Sequence, residues 1–164
     1  MVVHSGGCLC GALRYEAVGD PIQVTICHCR FCQRATGAGH MVEPIFADRN
    51  FRLVRGQAAV WVHVSGGSGK QVYVHFCKAC GTKLWLSFER FAGAVGVYAG
   101  TFDEPDWFAI TPENAKQIFT RHARADAVLL PHIAAYAEHA MTNEGVALSP
   151  TVYDAPHAVR RGPG

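Results

Sequence analysis

The 164-residue sequence predicts an all-β fold with metal-binding corners at the ends of its strands. Three observations carry this. Short runs that alternate apolar and polar residues recur through the first hundred positions, the period of a half-buried strand. Cysteines come in three tight groups, Cys8/Cys10, Cys27/Cys29/Cys32 and Cys77/Cys80, two of which directly follow such runs. Apolar residues make up 49% of the chain and charged residues 17%, so the length supports one real core rather than a disordered chain or two domains.

The elements follow in order. Gly6-Gly7-Cys8-Leu9-Cys10-Gly11 is a glycine-bracketed knuckle whose bend lets two sulfurs face one point. Ala12 to Ala17 is a strand, Asp20-Pro21 a turn, and Ile22 to Ile26 a second strand running straight into Cys27. In Cys27-His28-Cys29-Arg30-Phe31-Cys32-Gln33, positions i, i+2 and i+5 fall on different faces of a helix. A strand entering a tight loop is therefore expected to bring the three sulfurs together, with Ala35 to Gly39 continuing as loop. His40 to Phe46 and Phe51 to Val54 are short strands. Ala58 to Ser65 and Gln71 to Phe76 alternate around Gly66-Gly67-Ser68-Gly69 and form a β-hairpin. Its second strand runs into Cys77-Lys78-Ala79-Cys80-Gly81, and Leu84 to Phe88 and Val95 to Ala99 add two more strands. Beyond Thr101 the pattern weakens: Asp103-Glu104-Pro105-Asp106 is a turn, and helix formers from Ala134 to Met141 predict a short C-terminal helical segment. Residues 1–142 read as one zinc-binding domain and 143–164 as a flexible tail lacking any period. Trp61, Trp85, Trp107, Phe76 and Phe88 read as core or pocket wall.

Composition excludes several functions. A net charge of +2, without an interleaved basic and aromatic patch, does not suit a nucleic-acid binder. Arg49, Arg52 and Arg55 read as solvated surface. No basic-then-apolar leader and no apolar run of about 20 residues is found, so a soluble cytoplasmic protein with no membrane partner is expected. In such a compartment seven cysteines favour metal over disulfides.

The seven divide most economically as four plus three. Cys77-x-x-Cys80-Gly81 is a zinc-knuckle signal that needs a second pair, and only Cys8-x-Cys10 is both paired and isolated. Those four make one closed structural site. Cys27, Cys29 and Cys32 are left with a coordination position to fill. Spacing leaves two readings open there: a histidine closes the site, with His40 or His75 the candidates, or the position stays free. Three thiolates blunt the Lewis acidity that turns water into hydroxide. A free position on such a metal suits thiol chemistry instead, because a metal-bound thiol is held deprotonated. Arg30 and Arg34 flank the cluster and are candidates to grip a substrate carboxylate. His28 and Thr36 are the nearest candidates for a proton donor.

These blocks resemble a known family. Gly7-Cys8-Leu9-Cys10-Gly11 with Tyr15, Cys27 to Arg34 with Thr36-Gly37, Phe76 to Thr82, and Gly100 to Pro105 come in the order of the glutathione-dependent formaldehyde-activating (Gfa-like) family. The resemblance covers about Ser5 to Tyr136. It implies an all-β fold of zinc-ribbon ancestry, called Mss4-like, and two zinc ions per chain. One, structural, sits on the residues matching Cys8, Cys10, Cys77 and Cys80. The other, on those matching Cys27, Cys29 and Cys32, carries the chemistry. The activity implied is that of a carbon–sulfur lyase joining formaldehyde to glutathione or a similar small thiol. The competing function class is a non-catalytic zinc-ribbon module with two structural zincs, since a fold does not guarantee catalysis.

Overall fold

Strands form where residues alternate, and their ends fall where glycine or cysteine turns interrupt the alternation. The structure, a computed structural model, describes residues 2–160. The described chain divides into two units, one built from the residues up to Ile22 with Glu43–Ala109, the other from Gln23–Val42 with the chain from Ile110 onward.

In the first unit, β1 (Val3–Gly7), β2 (Arg14–Val18) and β5 (Phe51–Arg55) form an antiparallel three-stranded sheet with β2 in the middle. A second antiparallel ladder runs β4 (Met41–Ala47), β9 (Ala94–Val97), β8 (Lys83–Phe88), β7 (Gln71–Phe76) and β6 (Ala59–Val64). The β6–β7 hairpin is the one the Gly66–Gly69 loop predicts, in register from Ala59 opposite Phe76 to Val64 opposite Gln71. Tyr15, Ala17, Phe46, Leu84, Val97 and Phe102 fill the core, together with Cys8 and Cys77. Burying a side chain the size of Leu84 contributes about 2 kcal/mol, and the two knuckles are anchored in this core through Cys8 and Cys77. Tyr15 closes it, its hydroxyl sharing a 2.9 Å hydrogen bond with the Thr101 hydroxyl. A Cβ at Gly6 would lie 2.2 Å from that Tyr15 oxygen, which explains a glycine inside β1.

In the second unit, β3 (Gln23–Cys27) lies parallel to β10 (Ala115–Ile118), which is also parallel to β12 (Ala134–Ala135). β11 (Val128–Leu129) pairs antiparallel with β13 (His157–Ala158). Gln117, 1% exposed, acts like a further ladder rung: its side-chain amide donates to the Leu130 carbonyl and accepts from the Leu130 amide.

The all-β class holds, with a zinc-ribbon-like pair of knuckles, but the helix is not where helix formers predict it. Ala134 to Met141 begins with β12 and continues irregularly, because the Tyr136 amide pairs with the Gln117 carbonyl and the Ala135 amide with Thr151. The only α-helix among the described residues is α1 (Arg30–Thr36), in the stretch expected to be loop. Residues 143–160, expected to fray, are tied down by the Thr151–Ala135 and Met141–Ala147 bridges and by β13; Arg161–Gly164 lie outside the described residues. Trp85 and Trp107 join the core, whereas Trp61 stands 55% exposed on β6, whose outer edge has no partner strand among the described residues. Among the described residues no helix is long and apolar enough to cross a membrane.

Candidate metal centre

Two cysteine groups are assembled, and they are the two that spacing separates. Cys8, Cys10, Cys77 and Cys80 have all four sulfurs within 4.8 Å of one another, and so do Cys27, Cys29 and Cys32 with three. None of the seven cysteines is in a disulfide.

The four-sulfur group belongs to the first unit. The turn after β1 and the turn after β7 each supply a pair. Leu13 donates its amide to the Cys8 sulfur at 3.2 Å, and the Cys77 carbonyl accepts from Gly81 at 2.8 Å, where a φ of 75° suits glycine. Thr82 joins the two turns: its hydroxyl accepts from the Leu9 amide at 3.2 Å and lies 3.1 Å from the Cys80 sulfur. Hydrogen bonds from Thr82 lower the Cys80 thiol to about 5. The Cys8–Cys10 and Cys10–Cys77 sulfurs are 3.6 and 3.7 Å apart. Four thiolates on a tetrahedral ion with bonds of about 2.3 Å stand about 3.8 Å apart, so the donor set fits zinc.

The three-sulfur group belongs to the second unit. β3 delivers Cys27, and the next residue is fastened to β10 by the His28 amide donating to the Ile118 carbonyl at 3.0 Å. Cys29 is the N-cap of α1, with extended backbone, and its sulfur accepts the Cys32 amide at 3.3 Å. A strand and a tight turn were expected to return Cys32; a cap and the first turn of a helix do so instead. The physical reason is that a cap residue stands outside the helical periodicity, so spacing along a helix face does not apply to Cys29. The helix ends at Gly37, whose φ of 73° and amide bond to the Gln33 carbonyl make a left-handed cap.

Cys27 and Cys32 are each 4% exposed. Hydrogen bonds from the Cys27 and Cys32 thiols push the Cys29 thiol down to about 3, while those same contacts hold Cys27 and Cys32 well above the ordinary thiol range. Three cysteine sulfurs within 4.8 Å of one another are a soft donor set of the kind that zinc takes, so the group fits a metal ion. Among the described residues no histidine, aspartate or glutamate ligand atom joins these three sulfurs.

The histidines proposed to close the group are engaged elsewhere or lie apart. His75 is in the first unit, stacked on Trp85 at 4.6 Å with Nε2 2.9 Å from the Ser87 hydroxyl. His40 is exposed, its ring 5.2 Å from that of His28. His28 is 2% exposed with neither ring nitrogen hydrogen-bonded, and burial, reinforced by His40, lowers its pKa to about 4. Thr36 donates its hydroxyl to the Cys32 carbonyl at 2.8 Å, a helix back-bond rather than a poised acid.

Of the two arginines singled out, Arg30 donates to the Gln33 side-chain oxygen and Arg34 lies exposed in the last turn of α1. Gln33 carries a structural role that spacing does not reveal. It is buried, and its Nε2 donates to the carbonyls of His28 at 2.6 Å and His122 at 2.9 Å. A cavity of about 360 Å³ opens here, lined by Arg30, Gln33, His122, Arg124 and Ala125. His122 and Arg124 had no signal in the sequence, because nothing local ties them to the cysteine cluster.

A protein of Halomonas elongata named "Putative glutathione-dependent formaldehyde-activating enzyme" is 24% identical over 133 residues, covering 70% of this chain and 85% of that one. A crystal structure of a Rhodobacter sphaeroides protein overlaps with a TM-score of 0.47 at 22% identity, over 60% of this chain and 87% of that one, a likeness too slight to bear on function. The family model described as glutathione-dependent formaldehyde-activating enzyme matches residues 3–122, which include all seven cysteines. The chain belongs to the glutathione-dependent formaldehyde-activating enzyme family.

Proposed function

We propose that this protein is a zinc-dependent carbon–sulfur lyase of the cytoplasm, making and breaking adducts between an aldehyde such as formaldehyde and glutathione or a similar small thiol. The observation that supports it best is the three-sulfur group without a fourth ligand atom from the described residues, in a chain of this family. Zinc on Cys27, Cys29 and Cys32 would supply a position at which a small thiol is held as its thiolate. Cys8, Cys10, Cys77 and Cys80 would hold a second, structural zinc.

The chain's own residues divide the remaining work. Cys27 and Cys32 are buried, so one side of the thiol position is dry, and attractions there are less screened than in water. Arg30, directly after Cys29, offsets the excess negative charge of three thiolates and faces the solvent from which an anionic thiol arrives. His28, with its pKa near 4, is neutral at pH 7 and does not add positive charge. In the forward direction the thiol sulfur bonds to the carbonyl carbon, the carbonyl electron pair moves to oxygen, and that oxygen takes a proton from water. The thiol's own proton has already gone to solvent, so the product is the S-hydroxymethyl adduct with no net change in protons.

The test is metal content with thiol titration. Wild type purified under reducing conditions is expected to hold two zinc ions per chain and to bind glutathione. Cys29→Ser is expected to hold about one and to bind none. One zinc in the wild type, unchanged by Cys29→Ser and with no thiol binding, would sink the catalytic-zinc reading. Two zincs with no thiol response would favour the non-catalytic module.

A further inference from the structure

We infer that β6 is an interface, at which two copies of this chain pair antiparallel about a two-fold axis through Val62. The strand closes the β4–β9–β8–β7–β6 ladder on one side, and no strand among the described residues lies beyond it. An exposed sheet edge is a template for pairing, and proteins guard such edges with charge, proline or a bulge. Ala59–Val64 has none of these guards: it contains no Lys, Arg, Asp, Glu or Pro, and its register with β7 is unbroken. Val60, Trp61, Val62 and Val64 are each about half exposed, although successive side chains point to opposite faces. Both faces of β6 are therefore uncovered along with its edge.

The hairpin loop fixes which backbone groups the edge offers. The Ser65 amide donates to the Lys70 carbonyl at 2.9 Å, so Ser65 turns its N–H toward the β7 side. Along an antiparallel ladder, residues bonded to the partner strand alternate with residues whose backbone groups point away from it. The register is unbroken, so Trp61 and His63 follow Ser65 inward, while Val60, Val62 and Val64 direct N–H and C=O away from β7. Those three residues make a row of donors and acceptors that one further strand would complete.

What fits that row is the same strand reversed. Val60-Trp61-Val62-His63-Val64 shows the same order of side-chain types in both directions from Val62: β-branched, ring, β-branched, ring, β-branched. Setting Val62 against Val62 of the second copy puts Val60 opposite Val64 and Trp61 opposite His63. Every outward backbone group of the three valines then has a partner, and β-branched and aromatic residues are the ones that stabilise cross-strand pairs. Trp61 and His63 already stack on one face, ring centroids 5.6 Å apart, so two such stacks meet across the axis. No like charges face each other, because the strand carries none. The four exposed side chains offer roughly 400 Å² per copy, the size at which a patch marks a contact site. Two copies bury about twice that before the backbone is counted, near the roughly 1,000 Å² of a weak, reversible interface. Each copy contributes its one β6, so the two-fold pairing stops at a dimer.

Sedimentation equilibrium of the zinc-loaded full chain, from about 1 to 300 µM, tests the pairing in wild type and in Val62→Lys. Wild type is expected to pass from the mass of one chain to that of two, with a micromolar dissociation constant. Val62→Lys sets two like charges against each other at the axis and is expected to weaken the dimer at least about tenfold. Its exposed position spares the core, and a circular dichroism spectrum like that of wild type shows that it is folded. Amide exchange of the wild type, followed residue by residue by NMR, gives a second reading that needs no variant. From low to high concentration the amides of Val60, Val62 and Val64 should slow, whereas those of Trp61 and His63, bonded to β7 in either state, should not change. Wild type that stays monomeric at the highest concentration overturns the inference and leaves the edge to an extended segment of another protein or to solvent. A dimer that folded Val62→Lys leaves intact, or that forms without slowing the three valine amides, uses another face and overturns it equally.

Discussion

Gln33 is 6% exposed and its side-chain amide is fully committed, to two carbonyls through nitrogen and to Arg30 through oxygen. Leucine would fill much of the same volume and make none of these bonds. Gln33→Leu is therefore expected to cost roughly 2–4 kcal/mol, the penalty of leaving buried acceptors without donors, measured as a lower urea midpoint. A loss under about 0.5 kcal/mol would mean that water takes over the amide's role. The residue scale also shows what spacing can and cannot tell. Cys8, Cys10, Cys77 and Cys80 converge as their spacing implies, since each pair sits in one tight turn. The histidine question was not readable that way: His75 and His40 are equally available by position, and only packing shows His75 stacked on Trp85.

Among elements, the link between β2 and the turn after β9 has a pH signature. Arg14 in β2 forms a two-pronged pair with Asp103, one bond of 2.9 Å, both side chains partly exposed. Arg14 lowers the Asp103 carboxyl below its ordinary 3.8. A depressed folded-state pKa means stability that is present above the unfolded value, and it is lost as pH falls through the folded one. Asp103→Asn should thus destabilise the protein at pH 7 by at most about 1 kcal/mol, given the exposure. The gap between variant and wild type should close as pH falls below that lowered folded-state pKa, as read from thermal melts at several pH values. A gap that persists there would point to packing rather than charge. α1 teaches the complementary lesson. Arg30–Thr36 contains ordinary helix formers, but glycine-rich neighbours hid it, and its start depends on a cysteine serving as the cap. Ala134 to Met141 has better intrinsic propensity and is not helical, because its backbone is claimed by Gln117 and Thr151.

For the whole molecule, the four-sulfur group brings Cys10 beside Cys77, 67 residues apart in the chain. A metal ion held by those four sulfurs, as proposed, would cross-link a loop of that size and remove about 4 kcal/mol of unfolded-state entropy. Stripping metal with a strong chelator is therefore expected to lower the melting temperature by about 10 °C or more. Amide exchange should accelerate in Gly7–Leu13 and Phe76–Thr82. A chelated protein that melts as before, with those amides still protected, would show that the core alone holds the two turns. The all-β class, the hairpin, the two knuckles and the four-plus-three division of the cysteines were determined by the sequence itself. Each rests on a local rule, a period of two or a turn between nearby ligands, that needs no distant partner. Only the tertiary structure decided that β3 would pair in parallel with β10, some ninety residues on, and so bring His122 and Arg124 beside Arg30. Parallel partners are joined by no turn, and Ala115–Ile118 has too little alternation to announce a strand, so its place is set by packing.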